Sequence, residues 1–219
     1  NLECSALAAI SDIAEVMLVG HASINDDFCY AMPGCKVKKL HSSKRDAFKV
    51  INSKPFAKVF KEKIEKISDY KVRNKNKVKL DLKFVDKIAL VKIYPGQDPL
   101  ILDYYIKKKY KGIILEMSGL GHVPTKRSRN NWLKKLKEVQ KKGLIVCATA
   151  QTIYGRLDPL VYPNGRELFD TGIIYLEDML SETALIKLGY ILAKTSDKEE
   201  IKKLMLTNIV GELNDRLEE

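Results

Sequence analysis

A chain of 219 residues, 45% of them hydrophobic, can bury a substantial core, which excludes a disordered tail or a small disulfide scaffold. The formal net charge of +11 admits a phosphate-neutralising surface, yet 31% of residues are charged and Glu is plentiful beside Lys, a mixture that equally fits the ion-rich exterior of a heat-adapted protein. No run of about 18 apolar residues and no basic stretch leading into a hydrophobic one is present, so neither a membrane span nor a signal peptide is read, and a cytoplasmic location is expected.

The chain opens Asn1-Leu2-Glu3-Cys4 without an initiator Met, a start expected of a fragment or a processed product. Apolar residues at Leu2, Leu7, Ile10, Ile13 and Ala14 predict a helix over residues 2–14. A continuous apolar strand follows over residues 15–20. Residues 28–32 and 35–40, separated by Pro33-Gly34, read as a β-hairpin. From residue 61 to 83 the chain is dense in Lys and poor in apolar anchors, and a linker is placed over residues 62–84. This divides the chain into 1–61, the linker, and 85–219.

Beyond the linker the pattern becomes regular. Strands are predicted over residues 88–94, 112–117 and 144–148, with helices over 98–109 and 128–142 between them. This βαβαβ order implies a parallel sheet. Helices are then expected over 181–194 and 197–206, with a last helical segment around 211–217. The fold class is therefore α/β: part of an N-terminal α/β domain, then a smaller parallel-sheet domain. In open parallel sheets ligands sit outside the carboxyl ends of the strands, which directs attention to residues 118–124 and 149–156.

Gly119-Leu120-Gly121-His122 lacks the third glycine of a dinucleotide fingerprint and the Gly-Lys-Ser/Thr ending of a P-loop. It reads either as a backbone cradle for a small ligand or as a plain strand-to-helix turn. Cys35-Lys36-Val37-Lys38-Lys39-Leu40-His41-Ser42-Ser43-Lys44-Arg45-Asp46-Ala47-Phe48 places lysines at a strand end beside a hydroxyl-rich turn. Such a lysine can act as a base when its setting favours the neutral amine, or the cations merely decorate an exposed edge. His21, His41 and His122 are too far apart in sequence to argue a triad, and no Gly-x-Ser-x-Gly elbow occurs. Cys4, Cys29, Cys35 and Cys147 are scattered and read as reduced thiols, with no metal site expected.

These stretches resemble the asparaginase/glutaminase-like amidase family. Lys38-Lys39-Leu40-His41-Ser42-Ser43-Lys44-Arg45-Asp46-Ala47-Phe48 is similar to the family's lysine-bearing strand end and its following Asp-Ala-Phe. The Gly119-Leu120-Gly121-His122 loop is similar to a Gly-x-Gly-Asn/His loop. Further matches follow in order at Gln151-Thr152-Ile153-Tyr154-Gly155-Arg156-Leu157-Asp158, Gly172-Ile173-Ile174, Glu177-Asp178-Met179-Leu180-Ser181-Glu182-Thr183-Ala184 and Leu206-Thr207-Asn208-Ile209-Val210-Gly211-Glu212. The resemblance implies that Lys39 is the catalytic lysine, which with an Asp activates a nucleophilic Thr. It implies that Gly119, Gly121 and His122 border a substrate site, near a neighbouring subunit in related tetramers.

Within the family, residues 43–48, Met179-Leu180 and Thr207-Asn208-Ile209 look more like the ammonia-supplying members that serve a tRNA-dependent amidotransferase than like free L-asparaginases. That likeness implies glutamine as substrate, a transamidase partner subunit holding ATP and Mg, self-association into a dimer or higher oligomer, and tRNA engaged indirectly. No cofactor is expected in this chain. Asparagine hydrolysis is the alternative activity, and a non-catalytic or tRNA-binding role the third reading. The family's Gly-rich nucleophile loop and its Thr-Asp pair find no counterpart here, so this chain alone is expected to be inactive.

Overall fold

The first element is a helix, α1 (Leu2–Ile10), whose Cys4 and Ala8 lie one turn apart on the buried face. It stops short of the predicted residue 14 because the Ser11 hydroxyl donates back to the Ala8 carbonyl at 2.8 Å, while Ile13 leaves to bridge Val72. Serine competes in this way with the helical backbone. The structure, a computed structural model, describes residues 1–126 and 128–216 and divides them into two units, one of Asn1–Leu80 and one beginning at Asp81.

In the first unit β1 (Met17–His21) pairs antiparallel with β2 (Cys29–Pro33), from Met17 opposite Pro33 to His21 opposite Cys29. Next come β3 (Val37–Lys39), β4 (Phe48–Val50), β5 (Ala57–Val59) and β6 (Ile64–Lys66). The main sheet has the order β1-β2-β5-β6, and β3 pairs only with β4. The predicted hairpin between residues 28–32 and 35–40 does not form. Proline fixes φ near −65° and so cannot occupy the primed turns that close tight hairpins, and Gly34 donates its N–H to Val16 instead, prolonging the β1 edge. β2 is then free to take the central position, with Cys29 and Ala31 sealed between its neighbours. Strand β6 and the Ile13–Val72 bridge carry the first unit past residue 61.

The second unit holds β7 (Ile88–Lys92), α2 (Ile101–Lys107), β8 (Gly112–Met117), α3 (Trp132–Lys141), β9 (Ile145–Ala150), α4 (Pro163–Phe169), β10 (Ile174–Tyr175), α5 (Ser181–Leu192) and α6 (Lys198–Met205). Its four strands run parallel in the order β10-β9-β8-β7. The period of two along β8 assigns its faces. Ile113, Leu115 and Met117 pack into one cluster with Leu102, Trp132, Leu136 and Val139, while Ile114 packs into the other with Leu188 and Ile191. Both faces are covered, as continuous apolar strands require. Each fully buried Leu or Ile here contributes about 1.5–3 kcal/mol.

Two helix starts, those of α3 and α6, are set by side-chain oxygens. Asn131 accepts from the Leu133 N–H at 2.9 Å, and Asp197 from Glu200 at 2.8 Å. Asp98 instead accepts from Leu100, capping a turn that precedes α2. The expected helix around residues 211–217 is absent over 207–216, where the chain wraps in irregular turns around Glu212. Leu217 lies outside the described residues.

Candidate functional site

In the first unit, β1 ends at His21, β3 ends at Lys39, and residues 40–47 turn back into β4. Together they wall a cavity of about 340 Å3 lined by His21, Lys39, Ser42, Ser43, Lys44 and Arg45 among others. The turn is held internally. The Nδ1 of His41 accepts from the N–H groups of Ser43 and Lys44, at 3.1 and 3.0 Å, which leaves its Nε2 to carry the hydrogen. Leu40 donates to the Ala47 carbonyl at 2.7 Å.

Charge around this cavity is distributed unevenly. Asp46 accepts from Lys49 at 2.7 Å and faces Lys44 at 3.2 Å. The Lys49 hydrogen bond foremost, aided by Lys44, pulls its carboxyl down to about 2. Arg45 reaches back across 19 residues to Asp26, which also faces the His21 Nδ1 at 3.4 Å. Lys39 is exposed, and its ammonium lies 5.6 Å from the centroid of Phe48, its cross-strand neighbour. Among the described residues the Lys39 side chain has no carboxylate partner and no hydrogen bond. Lys36, which the decorated-edge reading leaves in solvent, is completely buried.

The Asp26–Arg45–His21 cluster escaped sequence reasoning because Arg45, in the 40–47 turn, lies 19 residues from Asp26 in the β1–β2 connection. A second hollow of about 380 Å3 shares His21 and is lined by Glu3, Asp26 and Asp27, so this cluster stands between a basic and an acidic surface.

In the second unit the 118–122 loop leaves the carboxyl end of β8 as a closed turn. The Ser118 carbonyl accepts from Gly121 and His122, and the Ser118 N–H and hydroxyl both donate to the His122 carbonyl. Gly121 has φ +103°, and a Cβ there would lie 2.6 Å from the Tyr175 ring. The Tyr175 hydroxyl donates to the Gly121 carbonyl at 3.2 Å, and burial raises its pKa. The turn geometry by itself explains a glycine at position 121. It does not account for His122, whose ring meets Tyr162 edge-on at 5.6 Å and whose buried Nε2 has no hydrogen-bond partner among the described residues.

The remaining motif residues are mainly internal joints of this unit. Gln151 donates to the carbonyls of Ile93 and Glu116, tying together the carboxyl ends of β7, β8 and β9. Arg156 pairs with Glu177 and donates to the Asp215 carbonyl. Asp178 accepts from the backbone and side chain of Asn214, at 3.0 and 2.9 Å. Thr149 and Ser181 share a buried hydrogen bond of 2.8 Å.

Glu212 receives the N–H groups of Ile209 and Val210 and pairs with Lys187 at 2.7 Å, both side chains being almost fully buried. Lys187 also donates to the carbonyls of Met205 and Thr207. Burial pushes the Lys187 pKa down. For Glu212, burial is outweighed by the Lys187 bond and the backbone donors, so its pKa is lowered.

Among the described residues no group of three or more His, Cys, Asp or Glu could hold a metal ion. No described helix is long and apolar enough to cross a membrane.

Residues 1–71 match the family model for the N-terminal asparaginase domain, and residues 87–205 match that for the glutaminase/asparaginase C-terminal domain. The chain is 44% identical over 215 residues to the D subunit of glutamyl-tRNA(Gln) amidotransferase from Thermococcus kodakarensis, covering 97% of this chain and 48% of that protein. It is 39% identical over 218 residues to the corresponding D subunit from Methanobrevibacter smithii, covering 99% and 49%. The chain thus spans about half the length of the curated relatives it matches. Among solved structures it resembles the thermostable L-asparaginase from Thermococcus kodakarensis, with TM-score 0.77 and 30% identity over 84% of this chain and 55% of that one. L-asparaginase I from Vibrio cholerae follows, with TM-score 0.72 and 27% identity over the same shares.

Proposed function

Because the chain belongs to the glutaminase/asparaginase family, we propose that it is part of the ammonia-supplying subunit of a cytoplasmic tRNA-dependent amidotransferase that converts glutamate on tRNA(Gln) to glutamine. The observation that carries this reading is its 39–45% identity, over nearly its whole length, to relatives named as the D subunit of that enzyme.

In this proposal glutamine is the amide donor, attacked by a Thr that these 219 residues do not supply. Lys39 serves as the proton acceptor of the nucleophile's activating group. Its position on the wall of the first-unit cavity, beside Ser42 and Ser43, supports that role, because a proton acceptor must stand within reach of the group it serves. Gly119, Gly121 and His122 border a substrate site of the assembled enzyme, with the unpartnered Nε2 of His122 available to a ligand. A transamidase subunit supplies the ATP- and Mg-dependent step and most tRNA contacts, and the ammonia-supplying subunit self-associates.

The solved L-asparaginases favour a second reading, free hydrolysis of asparagine. Ammonia release by the complete polypeptide separates the two. Release from glutamine that rises when charged tRNA and the transamidase subunit are added supports the proposal. Asparagine hydrolysis that needs no tRNA overturns it in favour of the asparaginase.

A further inference from the structure

Helix α1 packs on β1 and β5, across the central strand β2 that lies between them. The period of two along β2 sends Cys29 and Ala31 to one face, where they join Cys4 and Ala8 of the helix and Ala57 and Val59 of β5 in one core cluster. Ala8, Ala31 and Ala57 are all but fully buried there, and side chains this small let helix and sheet lie close together.

Two thiols meet in this layer. Cys29 stands directly opposite Val59 in the β2–β5 register, and the Cys4 thiol donates to the Val59 carbonyl at 3.5 Å. The Cys29 thiol turns toward α1 and donates to the Asn1 side-chain oxygen at 3.3 Å, about one helical turn before Cys4. Both residues also line the second hollow, of about 380 Å3, whose wall carries His21 and Asp26. The pair is therefore buried against its own core yet borders a space that small molecules can enter.

From this we infer that Cys4 and Cys29 are a reversible redox pair, closed to a disulfide by a small hydroperoxide that enters the hollow. Cys4, 8% exposed against 2% for Cys29, is the thiol that the oxidant reaches first. Its sulfur takes one peroxide oxygen, the O–O bond breaks and water leaves, giving a sulfenic acid. The Cys29 sulfur then attacks the Cys4 sulfur, the S–O bond breaks, and the hydroxyl departs with the Cys29 proton as a second water. The two sulfurs together lose two electrons and the peroxide gains them. Burial chiefly, and the neighbouring Cys4 thiol next, push the Cys29 pKa up to about 11, which suits a resolving thiol that waits for an activated neighbour rather than one that meets oxidant itself. The closed bond ties α1 to β2 beside the His21–Asp26 contact. The inference goes beyond the amide chemistry proposed above and holds whichever amide is the substrate.

The test treats the complete, native polypeptide with hydrogen peroxide, unfolds it, caps the remaining thiols with iodoacetamide and maps the peptides by mass spectrometry without reduction. A protease that cuts after Glu15 separates Cys4 from Cys29, while Cys35 stays on the Cys29 peptide, so a Cys35→Ser protein is run in parallel to assign the partner. The expected product joins the Cys4 and Cys29 peptides, lighter by two hydrogens than their sum, at the same yield with and without Cys35, and dithiothreitol returns both to the alkylated form. In a Cys4→Ser protein the loss of free Cys29 should slow by at least about 10-fold. Loss of Cys29 at an unchanged rate in that variant, a link that disappears with Cys35, or a Cys4 carried on to the sulfinic acid beside a free Cys29 would overturn the inference. So would an equal yield of the link when the unaltered protein is oxidised in urea, since the fold would then contribute nothing to the pairing. Ammonia release is read separately, so failure here leaves the amidase proposal untouched, and failure there leaves this one.

Discussion

Replacing Lys187 with Met puts the buried pair of the second unit to a quantitative test. At 2.7 Å and an effective dielectric near 20, the Coulomb attraction is roughly 6 kcal/mol, offset by the desolvation of two ions. Removing one partner leaves the other charge stranded, which typically costs about 3–5 kcal/mol. Here the stranded group is Glu212, still fixed by the N–H groups of Ile209 and Val210. The loss is expected at the upper part of that range, because the Met205 and Thr207 carbonyls also lose their donor. The assay is urea unfolding at neutral pH followed by the fluorescence of Trp132, the single tryptophan, buried in this unit. With a slope near 2 kcal/mol per molar urea, the midpoint should fall by roughly 2–2.5 M. Adding Glu212→Gln keeps an acceptor for the two backbone donors while removing the stranded charge, and should restore more than half of the loss. A single-variant loss below about 1 kcal/mol, or a double variant no more stable than the single, would refute the argument.

Gly121→Ala should destabilise the second unit by about 2–4 kcal/mol in the same assay, since it combines a strained positive φ with a Cβ pressed on the Tyr175 ring. Asp46 has its carboxyl held at about 2 rather than 3.8. Its contribution to stability is therefore present above pH 3.8 and lost as the pH falls through about 2, and a carboxyl NMR titration should place its midpoint near 2, with Lys49→Met moving it up. Asp26→Asn should speed amide hydrogen exchange in residues 41–46, because it removes the carboxylate that ties Arg45 and His21 together; exchange rates unchanged there would dismiss the cluster as a constraint on the cavity. In the complete, active polypeptide, Lys39→Met should lower kcat for ammonia release by at least about 100-fold with the fold intact by circular dichroism.

Much of the second unit is legible in sequence because its signals are local and agree with one another. Continuous apolar runs at residues 112–117 and 144–148, separated by a helical period that ends at Gly143, leave a covered parallel sheet as the consistent arrangement. β10 is only two residues long, and α4 begins at a proline without side-chain capping, so neither carries enough pattern to be seen. In the first unit the short strands β3 to β6 are three residues each. Pairing there is decided by the proline at residue 33 and by which strand becomes central, both matters of tertiary contact. The candidate residues of each unit are legible singly but not their partners. Lys39 and His122 stand out in sequence, whereas Asp26 becomes relevant only when the 40–47 turn brings Arg45 to it. The 207–212 stretch is recognisable by resemblance, but its physical reason, a buried carboxylate gathering backbone N–H groups, depends on Lys187 far earlier in the chain.

The thiols offer a way to follow each half of the chain separately. Cys147 is sealed inside the parallel sheet, and burial drives its pKa upward, so it resists alkylation while that sheet is closed. Cys4 and Cys29 are buried in the first unit, the latter pushed up to about 11 chiefly by burial, and Cys35 is only partly covered. A pulse of alkylating reagent read by peptide mass spectrometry would thus tag Cys35 in the native protein, Cys4 and Cys29 when the antiparallel sheet opens, and Cys147 when the parallel sheet does. The protein contains its own clock for each unit, and any ligand that stabilises one of them alone would slow one set of tags and leave the other unchanged.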